Sequence, residues 1–96
     1  MRAYKLTKQA FKVLKLLAKN DPKIAKKLKG IIEDLRKDAI SGESLQGYRQ
    51  FKKLRAGKYR LIYTYQEEQL LITIIEKRET VYQTFAHLIK NSNFIE

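Results

Sequence analysis

Cysteine is absent from this chain, which excludes disulfides and a thiolate zinc site. Histidine occurs once, at His87, too little for a histidine metal cluster, and it reads as a surface or packing residue. No run approaches the roughly 18 apolar residues that a membrane span needs. No signal peptide is expected, because Met1-Arg2-Ala3-Tyr4-Lys5 leads straight into a folded-looking pattern. The expected localisation is cytoplasmic, with no membrane partner. Acids are scarce: ten Asp and Glu face 21 Lys and Arg, a net charge of +11. That imbalance calls for an anionic partner: nucleic acid, an acidic protein or a membrane surface.

What is present suits one folded unit. Ninety-six residues, 44% of them hydrophobic, with four Phe and six Tyr, suffice for one core, so 1–96 reads as a single domain. The basic residues are concentrated in Phe51-Lys52-Lys53-Leu54-Arg55-Ala56-Gly57-Lys58-Tyr59-Arg60-Leu61-Ile62-Tyr63, where apolar residues are threaded between the charges. This stretch predicts a β-hairpin, with strands over about 49–55 and 58–65 and a tight turn at Ala56-Gly57-Lys58.

The remaining elements follow from periodicity. Arg2 to Leu6 suits a short strand. Thr7 caps a helix whose apolar face holds Ala10, Phe11, Val13, Leu14, Leu16 and Leu17. Asp21-Pro22 opens a second helix, with Ile24, Leu28, Ile31, Ile32 and Leu35 at spacings of three and four. So short a connection predicts an antiparallel helical hairpin. The lysines outside these stripes read first as a solvated face. Ser41-Gly42-Glu43-Ser44 reads as a loop, and Gln66-Glu67-Glu68-Gln69 as a solvated polar turn. Leu70 to Ile75 is nearly all aliphatic or β-branched, the mark of a strand buried on both faces. Thr80 to Lys90 is helical, and Asn91 to Glu96 a frayed tail. The fold class is α+β: an N-terminal strand, a helical hairpin, a three-stranded antiparallel meander joined by the first strand, and a C-terminal helix.

Tyr59, Leu61, Tyr63 and Tyr65 share one side of their strand, and Arg60, Ile62 and Thr64 the other. The more apolar row is expected under the helices. Arg60 is then expected on a face left free for a ligand.

The run Lys53-Leu54-Arg55-Ala56-Gly57-Lys58-Tyr59-Arg60-Leu61-Ile62-Tyr63 resembles the central signature of the RelE/ParE toxin superfamily. Arg78-Glu79-Thr80-Val81-Tyr82 is similar to that family's Arg-x-x-Val-Tyr ending. The element order agrees over nearly the whole chain, a RelE-like fold. The resemblance implies the toxin of a toxin–antitoxin pair, a ribosome-dependent mRNA endonuclease that needs no cofactor. Such toxins cut the codon in the ribosomal A site by attack of a 2′-hydroxyl on the neighbouring phosphate. The implied catalytic residues are Lys53, Arg60, Arg78 and Tyr82. Arg60 and Arg78 would stabilise charge on the phosphate and leaving oxygen, and Tyr82 would stack on a base. Lys53 would take the 2′-hydroxyl proton if the cationic cluster depresses its pKa. Phe51 stands where the family carries a further lysine, and Lys52 could replace it only in a bulged strand. Arg49, Lys52, Arg55 and Lys58 are the expected RNA-binding cations, Arg55 alternatively being a structural partner of Glu76. The implied partners are mRNA in the A site, the ribosome, and an antitoxin whose acidic or amphipathic segment displaces or covers the C-terminal helix. A ParE-type inhibitor of DNA gyrase and a non-catalytic RNA-binding module are the other functions that these features fit.

Overall fold

In the computed structural model, residues 1–91 are described. Five strands and three helices follow in the order β1 (Tyr4–Leu6), α1 (Lys8–Asn20), α2 (Pro22–Arg36), β2 (Glu43–Leu45), β3 (Tyr48–Ala56), β4 (Tyr59–Gln66), β5 (Gln69–Lys77) and α3 (Val81–Asn91). They build one sheet in the order β1-β5-β4-β3-β2. The β5-β4-β3 meander is antiparallel, as expected, and β1 joins it parallel to β5.

Capping chemistry sets the helices. The Thr7 hydroxyl accepts the Ala10 amide at 3.2 Å and donates to the Thr73 carbonyl at 2.6 Å. One side chain thus starts α1 and ties it to β5. Gln9 brackets Ile75 of the same strand, donating to its carbonyl at 2.8 Å and accepting its amide at 3.0 Å. Asp21 caps α2 through the Ile24 amide at 3.4 Å, with Pro22 in the first helical turn. In the β3–β4 turn, Gly57 has φ +61°, which a side chain would strain. A Cβ there would also meet Ile24 Cδ1 at 3.0 Å.

The two helices cover one face of the sheet. Ala10, Leu14 and Leu17 of α1 and Ala25, Leu28, Ile32 and Leu35 of α2 pack on Leu61, Tyr63, Leu70, Ile72 and Ile75. The Tyr59-Leu61-Tyr63 row does face the helices, whereas Tyr65 is exposed beneath the Arg2 guanidinium, 4.6 Å from its ring. Phe11 and Leu16 leave the expected apolar face of α1 and are exposed.

Every residue from Leu70 to Ile75 is buried, as the aliphatic run predicts. Helices cover both faces of this strand, and a bulge shifts its alternation. Ile62 pairs with Ile74 and Tyr63 with Ile72, so Thr73 is the extra residue. The extra residue reverses the alternation. Ile72 and Ile75 therefore both face the helical hairpin, while Ile74 faces the opposite side.

Four expectations are corrected. The far face of the sheet is not free: Val81 and Phe85 of α3 pack there on Leu45, Phe51, Ile62 and Ile74, joined by Leu88 and Ile89. Residues 43–45 form a strand instead of loop, too short at three residues to show a pattern. The first strand begins at Tyr4 rather than Arg2, which instead gives its amide to the Arg36 carbonyl at 3.0 Å. The last helix begins at Val81 and includes Asn91, while the rest of the expected tail lies outside the described residues.

Candidate functional site

Pairing brings the candidate cations to the part of the α3 face that α3 leaves open. Arg55 pairs with Arg60, and Arg60 with Glu76, so the three side chains form one row across β3, β4 and β5. Lys53 sits two residues from Arg55, opposite Ile62, on that same side. Phe51 is next and is buried, 4% exposed, its ring edge-on to Phe85 at 5.0 Å. One strand therefore passes from core residue to cation within three positions.

Lys53 holds the centre. Its Nζ donates to the Tyr82 hydroxyl at 2.9 Å and lies 5.4 Å from the centre of that ring. Tyr82 reaches it from the first turn of α3 and is 46% exposed, so its ring is not a packing element. The hydrogen bond from Lys53 to Tyr82 raises the lysine pKa above its ordinary value, with a smaller upward pull from Glu43. Burial and the Arg60 charge pull the other way and lose. The expected depression of the Lys53 pKa is therefore overturned, and at neutral pH this side chain is a charged donor.

Two hollows open on either side of Lys53. One, of about 360 Å3, is lined by Ser41, Gly42, Glu43, Arg55 and Arg60 with Lys53. The other, of about 410 Å3, is lined by Gln46, Tyr48, Tyr82 and Phe85 with Lys53. Arg60 lies folded along its own turn, Nη1 donating to the carbonyls of Gly57 at 3.3 Å and Tyr59 at 3.2 Å.

Glu43 is the residue that sequence reasoning missed. It pairs across β2 and β3 with Lys53 and is the carboxylate in the cationic hollow. Gly42 brings it there: a Cβ at this position would collide with the Lys53 carbonyl oxygen, so only glycine lets the chain approach so closely. The Gly42 amide is fixed by the Tyr63 hydroxyl at 2.8 Å. A glycine followed by an acid just before a basic hairpin was the available signal.

The other candidates divide. Arg78 stands at the β5–α3 corner with its amide on the Lys58 carbonyl at 3.0 Å, so Arg78 and Lys58 share one end of the sheet. Both are exposed, and neither lines the two hollows. Arg55 is exposed, and Glu76 is not its partner: that carboxylate faces Arg60 across the strands and accepts the Thr84 hydroxyl at 3.1 Å. Lys52 is separated from the cluster. The β3–β4 register is regular from Lys52 to Ala56, so Lys52 points with Tyr63 to the helical-hairpin side, 3.5 Å from the Ser41 hydroxyl. It does not take the place of Phe51. Arg49 is exposed in the irregular start of β3, where the register jumps from Tyr48 to Lys52, and lines neither hollow. His87 is exposed on α3 outside both hollows, and Glu67-Glu68 form the β4–β5 turn with φ of +50° and +69°.

Among the described residues, no group of three or more His, Cys, Asp or Glu is arranged to hold a metal ion, and no helix is long and apolar enough to cross a membrane.

Comparison with known proteins agrees with this architecture. The YoeB dimer structure from Staphylococcus aureus superposes with a TM-score of 0.70 at 21% identity, covering 80% of this chain and 97% of that one. A crystal structure of a YafQ variant from E. coli gives 0.67 at 18%, covering 85% and 99%. At these identities the likeness establishes the fold, the RelE-like α+β architecture. No curated protein sequence matches the chain significantly. Residues 4–82 match the family model described as the ParE toxin of the type II toxin–antitoxin system, parDE. That match spans most of the chain and both halves of the site, and it places the protein in the ParE toxin family, the toxins of type II toxin–antitoxin systems.

Proposed function

We propose that this toxin is an endoribonuclease that cuts mRNA in the ribosomal A site and so inhibits translation. The observation that carries the reading is the Lys53–Tyr82 pair: an ammonium held 2.9 Å from the hydroxyl of an exposed aromatic ring, beside a hollow containing Arg60. A fixed cation supports phosphate binding, and an exposed ring next to it supports stacking of the attached base.

The reaction divides among these groups. The ribose 2′-hydroxyl attacks the adjacent phosphorus, and the 5′-oxygen of the next nucleotide leaves, giving a 2′,3′-cyclic phosphate and a 5′-hydroxyl. Charge builds on the non-bridging oxygens, where Arg60 swings from its turn carbonyls to donate. Lys53, held protonated by Tyr82, neutralises the phosphate and gives a proton or hydrogen bond to the leaving oxygen. The 2′-hydroxyl proton goes to Glu43, the carboxylate facing Lys53. Tyr82 holds the RNA splayed for in-line attack. Arg78 and Lys58 bind the backbone farther along the strand, and Arg55 does so within the hollow. In this reading the toxin works in the cytoplasm, and the antitoxin of the pair presents an acidic or amphipathic segment to the basic surface around α3.

A second reading is the ParE side of the resemblance, inhibition of DNA gyrase without nuclease chemistry, and in its favour the matching family is described as the ParE toxin. Primer-extension mapping of a defined mRNA with purified ribosomes separates the two. Cuts within the A-site codon that disappear without ribosomes, and with Arg60→Ala, are expected. Intact mRNA together with loss of gyrase supercoiling activity would reverse the assignment.

A further inference from the structure

The hollow on the far side of Lys53 from Arg60 is built differently from its neighbour. Its walls are aromatic: the exposed rings of Tyr82 and Tyr48, with Phe85 behind. Tyr48 is held edge-on to Phe85, ring centres 5.1 Å apart and planes at 84°, and is still 39% exposed. Phe51 braces Phe85 from the sheet at 5.0 Å. Gln46 stands at the rim, in the two-residue turn that joins β2 to β3. Lys53 belongs to both hollows, so a phosphate held by Lys53 and Arg60 would carry its nucleoside into this aromatic one.

We propose that this hollow is a base-selecting subsite, in which Tyr48 and Tyr82 take up the base flanking the cleaved bond and Gln46 reads its edge. The selected base is adenine. An amide offers a donor and an acceptor side by side, and adenine presents a matching pair on its N6/N7 edge. A volume of about 410 Å3 suits a flat heterocycle with part of its ribose and is small enough to confine it. Tyr48 and Gln46 lie outside the Lys53-to-Tyr63 signature, so they can differ while the phosphate chemistry stays the same. The subsite deepens the ribonuclease reading by naming what that reaction selects, and its binding can be measured without the reaction.

The first arm measures cleavage of ribosome-bound mRNAs that differ only in the A-site codon. Wild type is expected to cut adenine-containing codons at least tenfold faster than the corresponding uracil ones. Gln46→Leu is expected to lose that discrimination while keeping the rate on the poorer codon. Tyr48→Ala is expected to raise KM by about 5- to 100-fold for every codon, the range of one lost stacking partner, and Tyr48→Phe to restore it. Thermal unfolding of each variant separates loss of the subsite from loss of the fold. The second arm titrates a 2′-O-methylated, uncleavable pentaribonucleotide and follows the ring resonances of Tyr48 and Tyr82 by NMR. Upfield shifts of both rings, larger with oligoadenylate than with oligouridylate, are expected. Shifts of both rings without cleavage in the first arm would keep the subsite and remove the nuclease. Cleavage by wild type with an unaltered codon profile in Gln46→Leu and an unaltered KM in Tyr48→Ala, or rings unmoved by either oligonucleotide, would overturn the subsite.

Discussion

The two faces of the sheet are covered by helices in different ways. On the helical-hairpin face, α1 and α2 bury a continuous set of side chains from Ala10 to Ile75. On the other face, among the described residues, α3 seats only Val81 and Phe85 fully, over Leu45, Phe51, Ile62 and Ile74. The strand β3 crosses the edge of that smaller core: Phe51 lies inside it, and Lys53 and Arg55 lie beyond it. The first face maximises apolar contact and contributes stability. The second divides its area between holding a helix and exposing charge, and α3 brings Tyr82 to the boundary. The difference teaches that the site is the uncovered remainder of a partly covered face, and that its position is set by where the α3 core stops.

Moving that boundary should have the largest effect. Phe51→Lys would restore a lysine that the family pattern carries, but it would put an ammonium into a dry cluster against Phe85. Loss of about 3–5 kcal/mol of unfolding free energy is expected, the scale of an uncompensated buried charge. Urea titration would read it, and increased RNA cleavage in a stable Phe51→Lys protein would break the comparison. Next is Arg60→Ala, on the open side. A cleavage rate lower by about 100- to 1000-fold is expected, as for one lost oxyanion donor, with unfolding free energy changed by less than about 1 kcal/mol. Parallel losses in both measurements would show that the open half is structural.

A smaller effect separates charge from proton acceptance at Lys53. Because Tyr82 raises its pKa, the side chain acts as a cation at neutral pH. Lys53→Arg should retain at least about tenfold more activity than Lys53→Ala in the same cleavage assay. Equal loss in both would return the base role to Lys53. The smallest effect is on titration. A lysine pKa raised in the folded state adds stability that is fully present below pH 10.5, its ordinary value, and disappears as pH rises through the folded value. Tyr82→Phe removes the main cause, so NMR of the Lys53 side chain should find its titration moved down towards 10.5. An unchanged titration would mean that Glu43, not Tyr82, sets the charge.

The elements were legible where local pattern and long-range structure agree. Period-three and -four stripes marked α1 and α2, and the aliphatic run marked β5. The alternation Lys53, Arg55 and Tyr59, Leu61, Tyr63 fixed which side each row takes once the helices were placed. What escaped depends on contacts remote in sequence. The β2 strand exists because Gly42 lets it close on Lys53, and that approach is what delivers Glu43. The placement of α3 follows from Phe51 and Phe85, 34 positions apart, meeting edge-on. The cationic cluster suggested a depressed Lys53 pKa, but one hydrogen bond across 29 positions outweighs it.

The parallel pairing of β1 with β5 has a consequence for when the toxin becomes a toxin. The contacts that close the sheet, Tyr4 to Leu70, Thr7 to Thr73 and Gln9 to Ile75, each span 66 positions. Contacts that remote carry a large loop-closure entropy and form late. The helical hairpin, whose contacts are local, can form early in synthesis, with its apolar side waiting for strands not yet made. Tyr82 comes later still in the chain, so Lys53 acquires its partner only after all five strands have been made. A chain ended at Tyr65 should unfold without a cooperative transition by circular dichroism and bind RNA weakly. The order of synthesis thereby makes the Lys53–Tyr82 pair one of the last features of the site to assemble.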